Sequence, residues 1–380
     1  MYGLSPSAGA LLLAAPGLAT LAVSMPAGIL ADRLGARRVT IIATFLMSAG
    51  ALAQAAPSYM ILIGGRLLFG VAYGIVWTTG VAWLSGSHGE AGSPRLGAVA
   101  TSSAVGMVAG PGIGGIAADL LGLSAPFALV AGFAVVLAVL LWRQPAEVRR
   151  TKVAASPSLR SSIRLAPSRP GVLTGAAVLA IAGAVGAVTQ LLVPLQLHQA
   201  GFSASSTGIA FSAAAGLYIV VSASVLKLGR RATAPRAAAL AGLALSLSLL
   251  PAAFGLGAVG LVGVLLLSSA PRAFVSTVSY PLATESAAGA KLPDGVVIGL
   301  LNGTWAVGLV LAPLIAGAID QMAGPAPAYL TAVLPGTFGA LWLLARTGTT
   351  TSDGAPEQPA AQTDHTGPPT AEHELAAASA

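Results

Sequence analysis

Cysteine is absent from all 380 residues. That single absence removes disulfide staples, thiolate metal sites and thiol catalysis. Charge is nearly as scarce. Asp, Glu, Lys and Arg together make up 8% of the chain, against about 25% in ordinary soluble domains. No P-loop, no cluster of His, Asp and Glu, and no nucleophile constellation is visible, so an enzyme, and ATP hydrolysis in particular, is not expected. No basic n-region precedes the first apolar run, and that run is long enough to stay in a membrane, so a cleaved leader is not expected either.

What is present is apolar. Hydrophobic residues reach 55% and mean hydropathy is +0.83, so water is not the solvent for most of this chain. The 47 glycines and 25 prolines follow no fibrous period; both residues are tolerated in bilayer helices, where glycine lets backbones approach. The net charge of +7 and pI near 10.2 come from basic residues placed singly or in short runs between apolar blocks. That placement orients a membrane protein and argues against nucleic acid as a partner.

Eleven apolar segments, most near the ~20 residues a bilayer requires, occupy about 7–30, 39–56, 59–84, 96–118, 125–142, 172–198, 207–226, 237–254, 259–282, 295–319 and 326–344. The fold class is therefore an all-α polytopic membrane protein of two bundles, five helices plus six. Residues 1–142 form the first bundle and 171–345 the second. Between them lies a linker, 143–170, with seven basic residues and one acid, and an amphipathic stretch near 161–165. The tail, 346–380, is poor in apolar residues and is expected to be disordered. Alternate loops and the tail hold 17 of the 19 basic residues, and the opposite loops hold none. Basic loops stay inside, so these loops and the tail are expected in the cytoplasm, with Met1 outside a multi-pass cell-membrane protein.

Three motifs sit in the first half. The turn Gly28–Arg38 reads GILADRLGARR. Arg66, Gly70 and Gly74 have the spacing R-x3-G-x3-G. Gly97, Gly106, Gly110, Pro111, Gly114 and Gly115 fill G-x8-G-x3-G-P-x2-G-G. With these residues the chain resembles the major facilitator superfamily, specifically its proton-coupled drug efflux branch. The resemblance implies a twelve-helix fold in two sixes, makes Gly28–Arg38 the loop after the second helix, and implies that the family's first helix is missing here. A degenerate copy of the turn, from Lys227 to Arg231, lacks the acid.

Several residues then become candidates. The resemblance implies a conformational latch in which Asp32 meets the positive end of the helix starting near Gly295, while Arg33, Arg37 or Arg38 reaches Glu90. Gly28 and Gly35 would permit the tight turn. Arg66 lies roughly 10 Å into its span at 1.5 Å per residue. A mid-helix arginine costs about 2.5–3.5 kcal/mol on insertion scales and stays charged, so it should face the bundle interior. The resemblance links it to proton coupling, although no acid lies deep in any span. Arg272, after Pro271, occupies the related place in the second half. The glycine face at 106, 110 and 114 is expected to pack against another backbone, with Pro111 bending the helix.

Polar groups inside the spans are few: Tyr73, Trp77, Thr78 and Thr79; Gln190, Gln196 and His198; Asn302 and Trp305. The resemblance favours Tyr73, Gln190 and Tyr280 as cavity residues. A mostly apolar cavity suits an amphiphilic or aromatic solute better than a sugar or phosphate. The expected activity is secondary active export of small amphiphilic or drug-like organic molecules, with protons as candidate coupling ions. The protein should be a monomer in the lipid bilayer, with no cofactor and no metal. A uniporter or importer of a small metabolite, or a transport-inactive sensor or remnant, stays open beside it.

Overall fold

The computed structural model describes residues 5–86, 92–144, 169–229, 233–255, 257–288 and 294–349. Eleven helices among them are long and apolar enough to cross a membrane. They are α1 (Pro6–Leu34), α2 (Ala36–Gln54), α3 (Tyr59–Gly86), α4 (Gly92–Leu121), α5 (Ala125–Trp142), α6 (Pro170–Gln199), α7 (Ala204–Leu228), α8 (Pro235–Leu247, continued by a short turn Leu250–Ala253), α9 (Gly257–Ala288), α10 (Asp294–Ala323) and α11 (Pro325–Thr349). The expected all-α polytopic fold is thus observed, five helices before the linker and six after it. The linker with its amphipathic stretch, the tail beyond residue 349 and Glu90 lie outside the described residues.

Most helices run several residues past their apolar cores. The clearest case is Gly28–Arg38, which the sequence reads as a loop. In the structure α1 continues to Leu34 and α2 begins at Ala36, so Gly35 alone makes the turn. Ala, Leu and Arg are good helix formers and carry helix geometry to the membrane edge. Gly35 has φ +92°, a conformation that only glycine adopts without strain. Gly28 sits within α1 with open space at its Cβ position, so the turn does not depend on it.

The first bundle packs α2 on α3, α1 on α3 and α2 on α5. Small residues set the spacing between α2 and α3: a Cβ on Gly65 would come within 3.0 Å of the Gln54 backbone nitrogen. The buried Thr40 and Thr79 hydroxyls meet at 2.7 Å, and Ser48 donates to the Ala131 carbonyl of α5 at 3.0 Å. Thr79, taken from the sequence as cavity polarity, is therefore a buried contact between α2 and α3. Its hydroxyl also donates to the Ile75 carbonyl, which leaves no reason to face a solute.

The second bundle is built around α6. Its apolar 18-residue stretch is 78% buried, against 6% for that of α4. It packs on α10, α9, α8 and α11. The α6–α10 contact is backbone-close: a Cβ on Gly308 would lie 2.7 Å from the Ala180 carbonyl oxygen and 2.8 Å from the Ala184 nitrogen. Nothing in the first bundle plays the part of α6 among the described residues.

Candidate functional site: a cleft between two bundles

The bundles meet along two seams, α4 on α7 and α1 on α10, with a light touch of α1 on α6. In the first seam, Gly115 and Gly208 let α4 and α7 cross so closely that a Cβ on either would collide with the carbonyl of Ala204 or Pro111. The Gly112 nitrogen donates to Ser212 Oγ at 2.9 Å. At the end of this seam the Asp119 carboxylate accepts from the backbone nitrogens of Ala204 (3.1 Å) and Ser205 (2.8 Å), and from the Ser205 hydroxyl. These donors are the first turn of α7, whose partial positive charge favours an anion.

The second seam repeats the first. Gly317 of α10 packs against Pro6 and Ala10 of α1, and Gln321 Oε1 accepts from the Ser7 hydroxyl. The sequence carries this repeat in plain form. Residues 104–122 read AVGMVAGPGIGGIAADLLG and residues 306–324 read AVGLVLAPLIAGAIDQMAG. Gly115 matches Gly317 and Asp119 matches Gln321. The helix starts match as well, Ser5-Pro6-Ser7 with Ser203-Ala204-Ser205, and both Ser5 and Ser203 cap their helices. This repeat pairs Asp119 and Ser205 with Gln321 and Ser7, a pairing that the motifs alone do not reveal.

The seam contacts fall at residues 6–17 of α1, 310–321 of α10, 111–119 of α4 and 204–212 of α7. Towards the other ends of the same helices, Gly28, Gly299, Gly303 and Gly216 have open space at the Cβ position among the described residues. The seam contacts between the bundles therefore gather at the face opposite the basic loops. The expected packing stripe Gly106–Gly110–Gly114 has no neighbour within 4 Å. Close packing falls instead on Gly115 and the Pro111 carbonyl, because the next residue along a helix turns the contact by about 100°. Gly97 lies on α4 in the same motif.

Polar side chains lie on α3 of the first bundle and on α6, α7, α9 and α10 of the second. On α3, Arg66, Tyr73 and Trp77 are spaced by 7 and 11 residues and share one helical face. Tyr73 and Trp77 are half-exposed and stacked, with ring centroids 6.3 Å apart. Arg66 Nε is buried without a hydrogen-bond partner among the described residues. In the second bundle Arg272 lies over the ring of Tyr218, 5.5 Å from its centroid, and its Nε is likewise buried and unpartnered among the described residues. Tyr218, on α7, was not singled out from the sequence. Tyr280 donates to Asn302 Oδ1 at 2.6 Å, while Gln190, Asn302 and Trp305 are exposed. His198 is exposed in the last turn of α6, and Gln196 lines a separate cavity of about 340 Å³ beside Gly257 and Pro325.

At the basic-loop face Arg37 donates to the Trp142 carbonyl at the end of α5, tying α2 to α5. Asp32 and Arg33 fall in the last turn of α1, and Arg38 is exposed in the first turn of α2. Among the described residues no group of three or more His, Asp or Glu could hold a metal ion.

Two helical bundles joined by paired seams match what comparison finds. The family model described as Major Facilitator Superfamily matches residues 1–294. The chain belongs to the major facilitator superfamily. Solved structures agree with the fold. A bacterial homolog of the human lysosomal transporter Spinster, inward-facing and unoccupied, gives a TM-score of 0.67 at 15% identity over 92% of this chain and 89% of that one. The nucleoside transporter NupG gives 0.71 at 14% identity over 93% and 92%. Curated relatives include the uncharacterized MFS-type transporter C18.02 of Schizosaccharomyces pombe, 37% identical over 120 residues, and the D-xylose-proton symporter-like 2 of Arabidopsis thaliana, 32% identical over 132 residues. Those matches cover 30% and 33% of this chain and about a quarter of each relative, 27% and 26%. Superfamily membership makes this a multi-pass membrane protein with a transporter's fold, and not an enzyme.

Proposed function

We propose that the protein is a secondary transporter that moves small amphiphilic or drug-like organic molecules across the cell membrane by alternating access, exporting them against protons. The observation that carries this reading is the pair of repeat-related seams that join the bundles at one face; on this reading a cleft opens at the other face, walled by Arg66 and Arg272. Export and proton exchange rest on the resemblance of Gly97–Gly115 to the antiporter motif. With the basic loops in the cytoplasm, the cleft opens inward and Met1 lies outside. When the cleft reverses, the basic ends of α1 and α10 come together, Asp32 caps the start of α10 near Gly295, and Arg33, Arg37, Arg38 and Glu90 complete the latch. The protein works as a monomer, in keeping with a cleft whose two walls both come from one chain.

The first bundle is completed by one further apolar helix placed as α6 is placed in the second. Gly308 is packed on α6, whereas its repeat partner Gly106 faces open space. The resemblance makes this the family's first helix. An apolar stretch of about 20 residues encoded directly upstream of Met1 is the expected finding, and its absence there overturns this assignment.

A second reading, facilitated movement without proton coupling, is favoured by one observation. Neither Arg66 nor Arg272 pairs with a carboxylate among the described residues. Reconstitution in liposomes separates the two. Under an imposed pH gradient an amphiphilic dye should accumulate, a protonophore should abolish accumulation, and Arg66→Ala should remove it while leaving equilibrative exchange. Exchange in the unmodified protein that ignores the gradient establishes the second reading instead.

A further inference from the structure

The polar equipment of the cleft is one-sided. Arg272 stands about halfway along α9, over the ring of Tyr218 and facing Gly186 of α6, where a Cβ would lie 3.6 Å from Nη1. A guanidinium keeps its charge at every pH the protein meets. The tyrosine face attracts that charge but carries no countercharge. No carboxylate among the described residues pairs with it, and Nε has no hydrogen-bond partner there.

Gln190 lies one turn beyond Gly186, on the same face of α6. It is exposed although residues 185–189 and 191–193 on either side of it are buried, as expected of a side chain that looks into a cleft. Nearer the open mouth, the Tyr280 hydroxyl occupies the Asn302 carbonyl oxygen, so the amide of Asn302 offers the cleft its two N–H donors. On α3 of the first bundle, Arg66 repeats the pattern, its Nε unpartnered among the described residues. The stacked rings of Tyr73 and Trp77 share its face.

Two fixed cations, N–H donors, exposed aromatic faces and no paired acid define what fits. An organic cation entering this space meets two uncompensated guanidinium groups in a medium that screens poorly. A carboxylate or sulfonate gains a charge-assisted hydrogen bond to a planar fork built for it. A bare inorganic anion leaves the aromatic surface unused.

We infer that the cleft selects amphiphilic organic anions: the acid group is bound by Arg272 with help from Gln190, and the apolar body lies against Tyr73 and Trp77. This rests on the transport reading and narrows it, from drug-like solutes of any charge to anions. Gly186 contributes by absence, since a side chain there would fill the space beside the guanidinium.

Three probes of one shape test the inference: 2-naphthoate, 2-naphthylmethanol and 2-naphthylmethylammonium, titrated calorimetrically into the full chain in lipid nanodiscs. Naphthoate should bind at least tenfold more tightly than the alcohol, and the ammonium more weakly than either. Arg272→Gln should erase the naphthoate advantage and leave the alcohol unchanged. Equal binding of all three probes overturns the proposal, as does an Arg272→Gln effect that falls on alcohol and naphthoate alike. If Arg272→Gln fails to fold, Gln190→Leu carries the test. It should lower the naphthoate-to-alcohol ratio several-fold, and an unchanged ratio overturns the proposal. Flux of the same probes in liposomes keeps the two readings apart. Arg272-dependent naphthoate binding without flux retains the anion site and removes the transporter. Flux of alcohol and ammonium with no preference for naphthoate retains the transporter and removes the anion site.

Discussion

A single methyl group distinguishes the two kinds of glycine on α4. At Gly115 it would strike the Ala204 carbonyl, while at Gly106 it would meet nothing within 4 Å. Overpacking a tight contact costs about 1–3 kcal/mol. Under the alternating access proposed above, that contact belongs to a seam that parts when the cleft reverses, so the strain falls on one state only and opening relieves it. Gly115→Ala should therefore shift the population towards the state with the α4–α7 seam open, by about 5–150-fold, and Gly106→Ala should not. Spin labels flanking the seam measure the shift by pulsed electron resonance; equal distance distributions in the two variants contradict the argument. The motif drew attention to both glycines, but spacing alone could not tell them apart. Which face of α4 meets α7 is decided by the partner helix, and that is tertiary information. Thr79 makes the same point: beside Tyr73 and Trp77 it looks like cavity polarity, yet its face of α3 belongs to α2.

Helix ends carry the asymmetry of the two seams. The first turn of α7 receives a carboxylate from Asp119, whereas the matching turn of α1 receives the neutral amide of Gln321. A negative charge at a helix N-terminus adds an electrostatic attraction that an amide of equal size lacks. Asp119→Asn makes the first seam chemically like the second. It should keep the fold, shorten the lifetime of the sealed state and lose the salt sensitivity of that lifetime, because only the charge is screened. Single-molecule energy transfer across the α4–α7 end at low and high salt reads both effects; a lifetime unaltered by the substitution contradicts it. The elements themselves were legible in the sequence, since long apolar runs bounded by charge leave few alternatives to membrane helices. Their ends were less so. Charges at 32–33 and 37–38 looked like loop, but α1 and α2 carry them within helix, and only Gly35 breaks the ladder. The repeat between 104–122 and 306–324 was present in the letters too, although one half holds acid where the other holds amide, and glycine where the other holds alanine or leucine.

At the scale of the molecule, the sequence showed sidedness and a division into two bundles. It could not show which face of the cleft is closed, because one sequence serves both states and their difference lies in contacts between bundles. The absence of cysteine makes that difference accessible, since any introduced pair reports without background. Ser7→Cys with Gln321→Cys replaces a hydrogen-bonded pair that joins α1 to α10 in the sealed face. Gly28→Cys with Gly299→Cys places thiols near the basic-loop ends of the same two helices, where both positions have open space. If the bundles rock about a cleft that opens to one face at a time, the two pairs are alternatives. The first should cross-link readily in the resting protein and stop flux until reduced. The second should cross-link only when solute or a gradient drives turnover, and should then stop flux with equal completeness. Flux that persists with the Ser7–Gln321 pair fully oxidised would mean that the sealed face does not have to open, which removes rocking of the two bundles as the mechanism.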